Sequence, residues 1–110
     1  MEPFVIKSYL YDFYGELLTE HQRRIYEEIN FNDYSAAEVA RDEGISRQGV
    51  HDLMKRCDRL LLDYEERMHL VERFLRIREK VRQIEQLSDD PSDTRLGAIR
   101  ELSRSILEEL

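Results

Sequence analysis

The sequence predicts an all-α protein organised around a helix-turn-helix, with a C-terminal helical arm. Three observations carry that prediction. Residues 35–56 follow the grammar of two capped helices joined by a glycine turn. Apolar residues recur at helical spacing well beyond that motif, stepping by four, three, four and three through Leu70, Phe74, Ile77, Val81 and Ile84. Gly and Pro are few, and no alternation of Val, Thr and Tyr persists long enough for a sheet.

The elements follow in order. Residues 3–14 form a first helix in which Phe4, Tyr9, Phe13 and Tyr14 crowd with Val5, Ile6 and Leu10. Six apolar or aromatic side chains between Tyr9 and Leu17 exceed what one stripe needs, so this helix is wrapped on two sides or packs on a partner chain. Thr19 and Gln22 make a capping box that opens a second helix, with Ile25, Tyr26 and Ile29 inward and Asn30, Asn32 and Asp33 ending it near Phe31. The paired helices of the motif come next, at about 36–43 and 47–60. Ser35 caps the first and Glu38 is placed to complete a second capping box; Gly44 supplies the positive φ of the turn, and Ser46 caps the second helix. Val39, Ala40, Ile45, Val50 and Met54 build its core.

From Arg47 to about Leu87 neither Pro nor a Gly after Gly49 interrupts the pattern, which predicts one long helix with a wide apolar stripe. Arg73, Arg76, Arg78, Lys80 and Arg82 are interleaved with Glu72, Glu79 and Glu85, which reads as a solvated face. Asp90 and Pro91 are placed to start a last helix with Leu96, Ile99, Leu102, Ile106 and Leu110 on one side. That side needs cover, from the preceding helix or from a second subunit. The domain division is therefore residues 1–66 for the helix-turn-helix with its aromatic helix, and 67–110 for a dimerisation or packing arm.

Several function classes have no residues to carry them. Cys57 is the one cysteine and lies in line with Val50, Met54 and Leu61, where it acts as a small core hydrophobe. His21, His51 and His69 are scattered without metal-ligand spacing, and the four glycines are isolated, so no metal, cofactor or small-molecule substrate is expected. No acid–base pair or nucleophile points to an enzyme. No apolar run or basic–apolar leader points to a membrane or to export, which gives a cytoplasmic expectation.

Charge bears on the remaining class. The chain carries a net −7, with −4 over residues 1–34, none over 35–87 and −3 over 88–110. Within 46–60, however, Arg47, Lys55, Arg56 and Arg59 outnumber Asp52 and Asp58. A recognition helix enters the major groove N-terminus first, and Arg and Gln are shaped for bidentate base contacts. Arg47, Gln48 and His51 are its first exposed side chains here, while Lys55, Arg56 and Arg59 are placed to anchor phosphates. Affinity scales with the phosphates neutralised, so a monomer would bind weakly and a homodimer is expected.

The segment Leu17-Leu18-Thr19-Glu20-His21-Gln22, followed by Tyr34-Ser35 through Arg56, resembles region 4 of the bacterial sigma factors, which reads the −35 promoter element. The likeness is closer to the small YlxM-like family of helix-turn-helix proteins associated with the signal recognition particle. Tyr11-Asp12-Phe13-Tyr14, Leu17-Leu18-Thr19-Glu20, Asp33-Tyr34-Ser35, Ser46-Arg47-Gln48 and Asp63-Tyr64-Glu65 are similar to that family's signature, over about residues 8–75. The resemblance implies a sigma-region-4-like fold in a bacterial, cytoplasmic protein. Its role would be regulatory in the signal recognition particle pathway, inferred from the family's gene neighbourhood. The sigma likeness implies DNA contacts at Arg47, Gln48, His51 and Lys55, with Ser35, Ser46 and Arg56 near phosphates. Two departures weigh against promoter reading: the other sigma regions are missing, and Leu53 falls one step off the buried stripe, towards the side facing DNA.

Two readings follow. In the first the protein is a DNA-binding regulator. In the second it is an adaptor for a protein or RNA component of the signal recognition particle; an exposed Leu53 and the acidic ends would suit this reading, since acidic surfaces steer towards basic partners.

Overall fold

Six α-helices run through the computed structural model, which describes residues 2–89 and 95–110: α1 (Pro3–Tyr14), α2 (Glu20–Asn30), α3 (Ala36–Glu43), α4 (Arg47–Met68), α5 (Leu70–Ser88) and α6 (Arg95–Glu109), with a 3₁₀ turn at Gly15–Leu17. No strand occurs among the described residues. The chain divides into two compact units, Met1–Met68 and His69–Leu110.

In the first unit the caps expected from sequence set where the helices start. Thr19 and Gln22 form both halves of a capping box at the start of α2. At α3, Ser35 Oγ accepts from the Glu38 N–H at 3.1 Å, but the second half differs from expectation. The Glu38 carboxylate accepts a hydrogen bond from the Ser35 hydroxyl rather than from its backbone N–H. A carboxylate can accept from either group, and here the hydroxyl, already turned towards α3, lies 3.1 Å away. Gly44 ends α3 in the left-handed region at φ 69°, and the Ile45 N–H closes the turn on the Ala40 carbonyl at 3.0 Å.

The core of the motif is Ile25, Val39, Ala40 and Val50, fully or nearly fully buried, with Ile29, Ala36, Leu53 and Met54 packed against it. Leu53 therefore does not face outward as its position on a single stripe suggested. Helices α2 and α3 both lie against α4, and together they bury a wider arc of it than one neighbour would. Ile45 departs in the other direction: it stays 39% exposed, because it sits in the turn after Gly44 and not on a helix face. Burial pushes the Cys57 thiol up to about 11, consistent with a core side chain and not a nucleophile.

The first helix is wrapped on two sides within its own unit. Towards α2, Tyr11 stacks on Tyr26 with ring centroids 5.4 Å apart, and its hydroxyl donates to Glu27. Towards α4, Leu10 is buried, Lys7 pairs with Asp58 at 3.4 Å and the Tyr14 hydroxyl donates to Glu65 at 2.5 Å.

The second unit is a helical hairpin. The single helix expected from Arg47 to Leu87 is interrupted at His69, which stands at φ 56° and ψ 30° between α4 and α5. His is one of the few non-glycine residues enriched in this region. The apolar spacing continues through the break, so periodicity could not reveal it. The imidazole pairs with Glu72 at 3.0 Å, and the His69 carbonyl accepts from the Arg73 N–H at 3.0 Å to open α5. Helix α6 runs back along α5, tied by Arg76 to Glu109 at 2.7 Å and by Lys80 to Ser105 at 2.7 Å. Ile99, Leu102 and Ile106 are half-buried, whereas Leu96 and Leu110 remain exposed. The expected start of this helix at Asp90 and Pro91 lies outside the described residues.

Candidate nucleic-acid interface

The surface in question is built by α3, the Gly44 turn and the first four turns of α4 (Arg47–Met68). Ser46 fixes where α4 starts: its Oγ accepts from the Gly49 N–H at 3.0 Å, and its carbonyl accepts from the Val50 N–H at 3.1 Å. With Val50, Cys57 and Leu61 fully buried, the helix can only be rotated so that its other faces meet solvent. Arg47, Gln48, His51, Asp52, Lys55, Arg56 and Arg59 are all exposed. Arg47, His51, Lys55 and Arg59 recur every fourth residue and share one side of the helix.

Ion pairing divides the cations of the chain, and among the described residues those of this group fall on the unpaired side together with Arg41, Arg67, Arg73, Arg100 and Arg104. Arg24 grips Glu43 through both carboxylate oxygens, Lys7 meets Asp58, and Arg76, Lys80 and Arg82 each have a carboxylate partner. Among the described residues, Arg47, Lys55, Arg56 and Arg59 have none. Asp58 is moreover turned away from them, held by Lys7 and accepting from the Tyr26 hydroxyl at 2.9 Å. Of the two acids that composition set against those four cations, only Asp52 remains on the outward side.

One neighbour of this face and one contact within it escaped the sequence reading. Arg41, on the last turn of α3, is exposed and makes no ion pair among the described residues. Asp52 is not merely a like-charge intruder, since its Oδ1 accepts from Gln48 Nε2 at 3.0 Å. The four-residue spacing of Gln and Asp on a helix was the available signal. Ser35 is spoken for in a different way: its hydroxyl both accepts from the Glu38 N–H and donates to the Glu38 carboxylate, so a phosphate would have to displace the second bond.

The face is held in place from behind. Glu43 at the end of α3 receives Arg24 at 2.8 Å and His21 at 3.2 Å, which ties the first turns of α2 to the turn of the motif. Hydrogen bonding from Arg24 holds the Glu43 carboxyl below the usual carboxylate range. The described residues hold no helix long and apolar enough to cross a membrane.

Comparison with known proteins places this architecture. Residues 1–98 match a family described as "UPF0122: Putative helix-turn-helix protein, YlxM / p13 like". A UPF0122 protein of Caldanaerobacter subterraneus subsp. tengcongensis is 42% identical over 85 residues, covering 77% of this chain and 73% of the relative. Another from Clostridium kluyveri is 46% identical over 72 residues, 66% of this chain and 65% of that protein. A third, from Halalkalibacterium halodurans, is 38% identical over 82 residues, 74% and 75% of the two chains.

Proposed function

Because the chain belongs to the UPF0122 family of YlxM/p13-like helix-turn-helix proteins, we propose that it is a DNA-binding regulatory protein, acting as a homodimer. The carrying observation is that Arg47, Lys55, Arg56 and Arg59, exposed on α4, have no carboxylate partners among the described residues, in a chain whose net charge is −7. Cations left unpaired on one helix face are free to replace the counterions of a phosphate backbone. In this reading α4 enters the major groove, Arg47 and Gln48 meet base edges, His51 lies beside them, and Lys55, Arg56 and Arg59 hold phosphates. Ser46 lies at the same helix start, where backbone N–H groups favour a phosphate oxygen. The pathway we attach to this activity is that of the signal recognition particle, on the strength of the family resemblance alone.

A single such helix makes few phosphate contacts, and two of them on successive major grooves, roughly 34 Å apart, would double the footprint. The half-buried position of Leu53 supports the same reading, since it withdraws that side chain from the polar residues of α4, although Ile45 in the turn beside them stays exposed.

The test is binding of the purified protein to pooled genomic fragments at low and physiological salt, followed by sequencing of the bound fraction. Enrichment of a defined motif that survives physiological salt is the expected result. No retention at low salt would replace this reading with that of an adaptor for a basic partner, which the −4 carried by residues 1–34 favours.

A further inference from the structure

We infer that Asp52 is a positioning residue for base readout, holding the Gln48 amide in the one orientation that matches adenine. The inference rests on the DNA-binding reading above and adds to it which base one side chain selects.

The argument starts from what each group can do. Gln48 stands on the first turn of α4, exposed, with three rotatable side-chain bonds that solvent leaves free. Its terminal amide has two faces to offer, an NH₂ that only donates and an oxygen that only accepts. Asp52, one turn further on, turns a carboxylate oxygen towards it as the acceptor. The contact between them, Gln48 Nε2 to Asp52 Oδ1 at 3.0 Å, is therefore possible in one sense alone: the NH₂ end turns towards Asp52 and Oε1 turns away from it. This removes the ambiguity between oxygen and nitrogen by chemistry, because the flipped amide would set two acceptors against each other.

The bond to Asp52 takes one N–H, so the other N–H and the Oε1 remain free on Gln48. The adenine edge in the major groove shows an acceptor at N7 and a donor at N6, which is the complement of that pair. Guanine shows acceptors at both N7 and O6, so the same held amide would place Oε1 against O6. An untethered Gln can rotate freely to soften that conflict; a tethered one must first give up its bond to Asp52. The carboxylate that does this also faces phosphates at close range, so it weakens binding to every sequence while sharpening the choice at one position. A negative charge on the outward side of a helix otherwise furnished with Arg47, His51, Lys55 and Arg59 then has a use.

The experiment selects duplexes from a pool with a randomised central segment, in parallel for the wild type, Asp52→Ala, Asp52→Asn and Gln48→Ala, and follows with binding curves on the selected site and on its adenine-to-guanine variant. The wild type is expected to select a site with one strong adenine position and to disfavour guanine there by about tenfold or more. Asp52→Ala is expected to bind all duplexes more tightly yet lose that discrimination to the level of Gln48→Ala. Asp52→Asn, which drops the charge and keeps an acceptor, is expected to bind more tightly and retain part of it. An Asp52→Ala protein that binds more tightly with the adenine preference intact would overturn the inference, since Asp52 would then act only as a charge. A wild type that retains no duplex at low salt would instead overturn the DNA-binding reading itself, so the two failures are distinct.

Discussion

At the turn between α3 and α4, Gly44 stands at φ 69° with nothing within 4 Å of the place a Cβ would occupy. Substitution there tests backbone strain without a clash. Gly44→Ala is expected to destabilise the protein by about 1–2 kcal/mol in a denaturant titration, and Gly44→Asn by less, because Asn tolerates this region better. The exposed side chains divide by role in the same way. Arg47→Ala is expected to relax sequence preference at one base position, at a cost of about 1–3 kcal/mol on the preferred site. Arg56→Ala should weaken all sequences alike and reduce the slope of log affinity against log salt by about one. Equal losses on every duplex for both variants would remove direct readout by Arg47. The exposure of Arg47, Gln48, His51, Lys55, Arg56 and Arg59 was legible in the sequence, because a capped helix of known core positions has only one rotation. The setting of Leu53 was not, because the width of a buried arc depends on how many helices press against it, and that is a tertiary fact.

Caps and punctuation govern the elements. Thr19, Ser35, Gly44 and Ser46 each announce a helix boundary in the sequence, and each stands at that boundary in the structure. The boundary at His69 had no such announcement: the residue is neither Gly nor Pro, and the apolar spacing runs through it undisturbed. Pairing between elements was likewise invisible, since Arg24 and Glu43 are nineteen residues apart. That pair has a pH consequence. With its folded pKa depressed by Arg24, Glu43 contributes stability that is present above the ordinary carboxylate pKa and is lost as pH falls through the folded value. Thermal melts of the wild type and Glu43→Gln should therefore differ most near neutral pH and converge under acid conditions. A gap that stays constant down to the acid limit would show that the ion pair is not its source.

For the molecule as a whole, the distribution of charge matters more than its sum. The acidic excess lies at the two ends of the sequence, while the cations of α4 face solvent without partners among the described residues. Composition alone suggested a protein that avoids phosphate. The ion pairs change the balance locally, because Asp58 is engaged by Lys7 and Tyr26. A net charge of −7 opposes non-specific adhesion to the phosphate backbone of nucleic acid. The sole thiol gives access to a different property, the equilibrium by which the first unit opens. Cys57 is fully buried, and burial raises its pKa to about 11, so in the closed state it presents neither a path nor a thiolate to an alkylating reagent. Modification by iodoacetamide should follow the opening equilibrium of the core, staying negligible in native buffer and rising in step with denaturant. Labelling as fast as that of a free thiol in native buffer would contradict that burial. Otherwise mass spectrometry of the alkylated fraction turns this one side chain into an intrinsic gauge of the open population, readable in a crude extract with no engineered label.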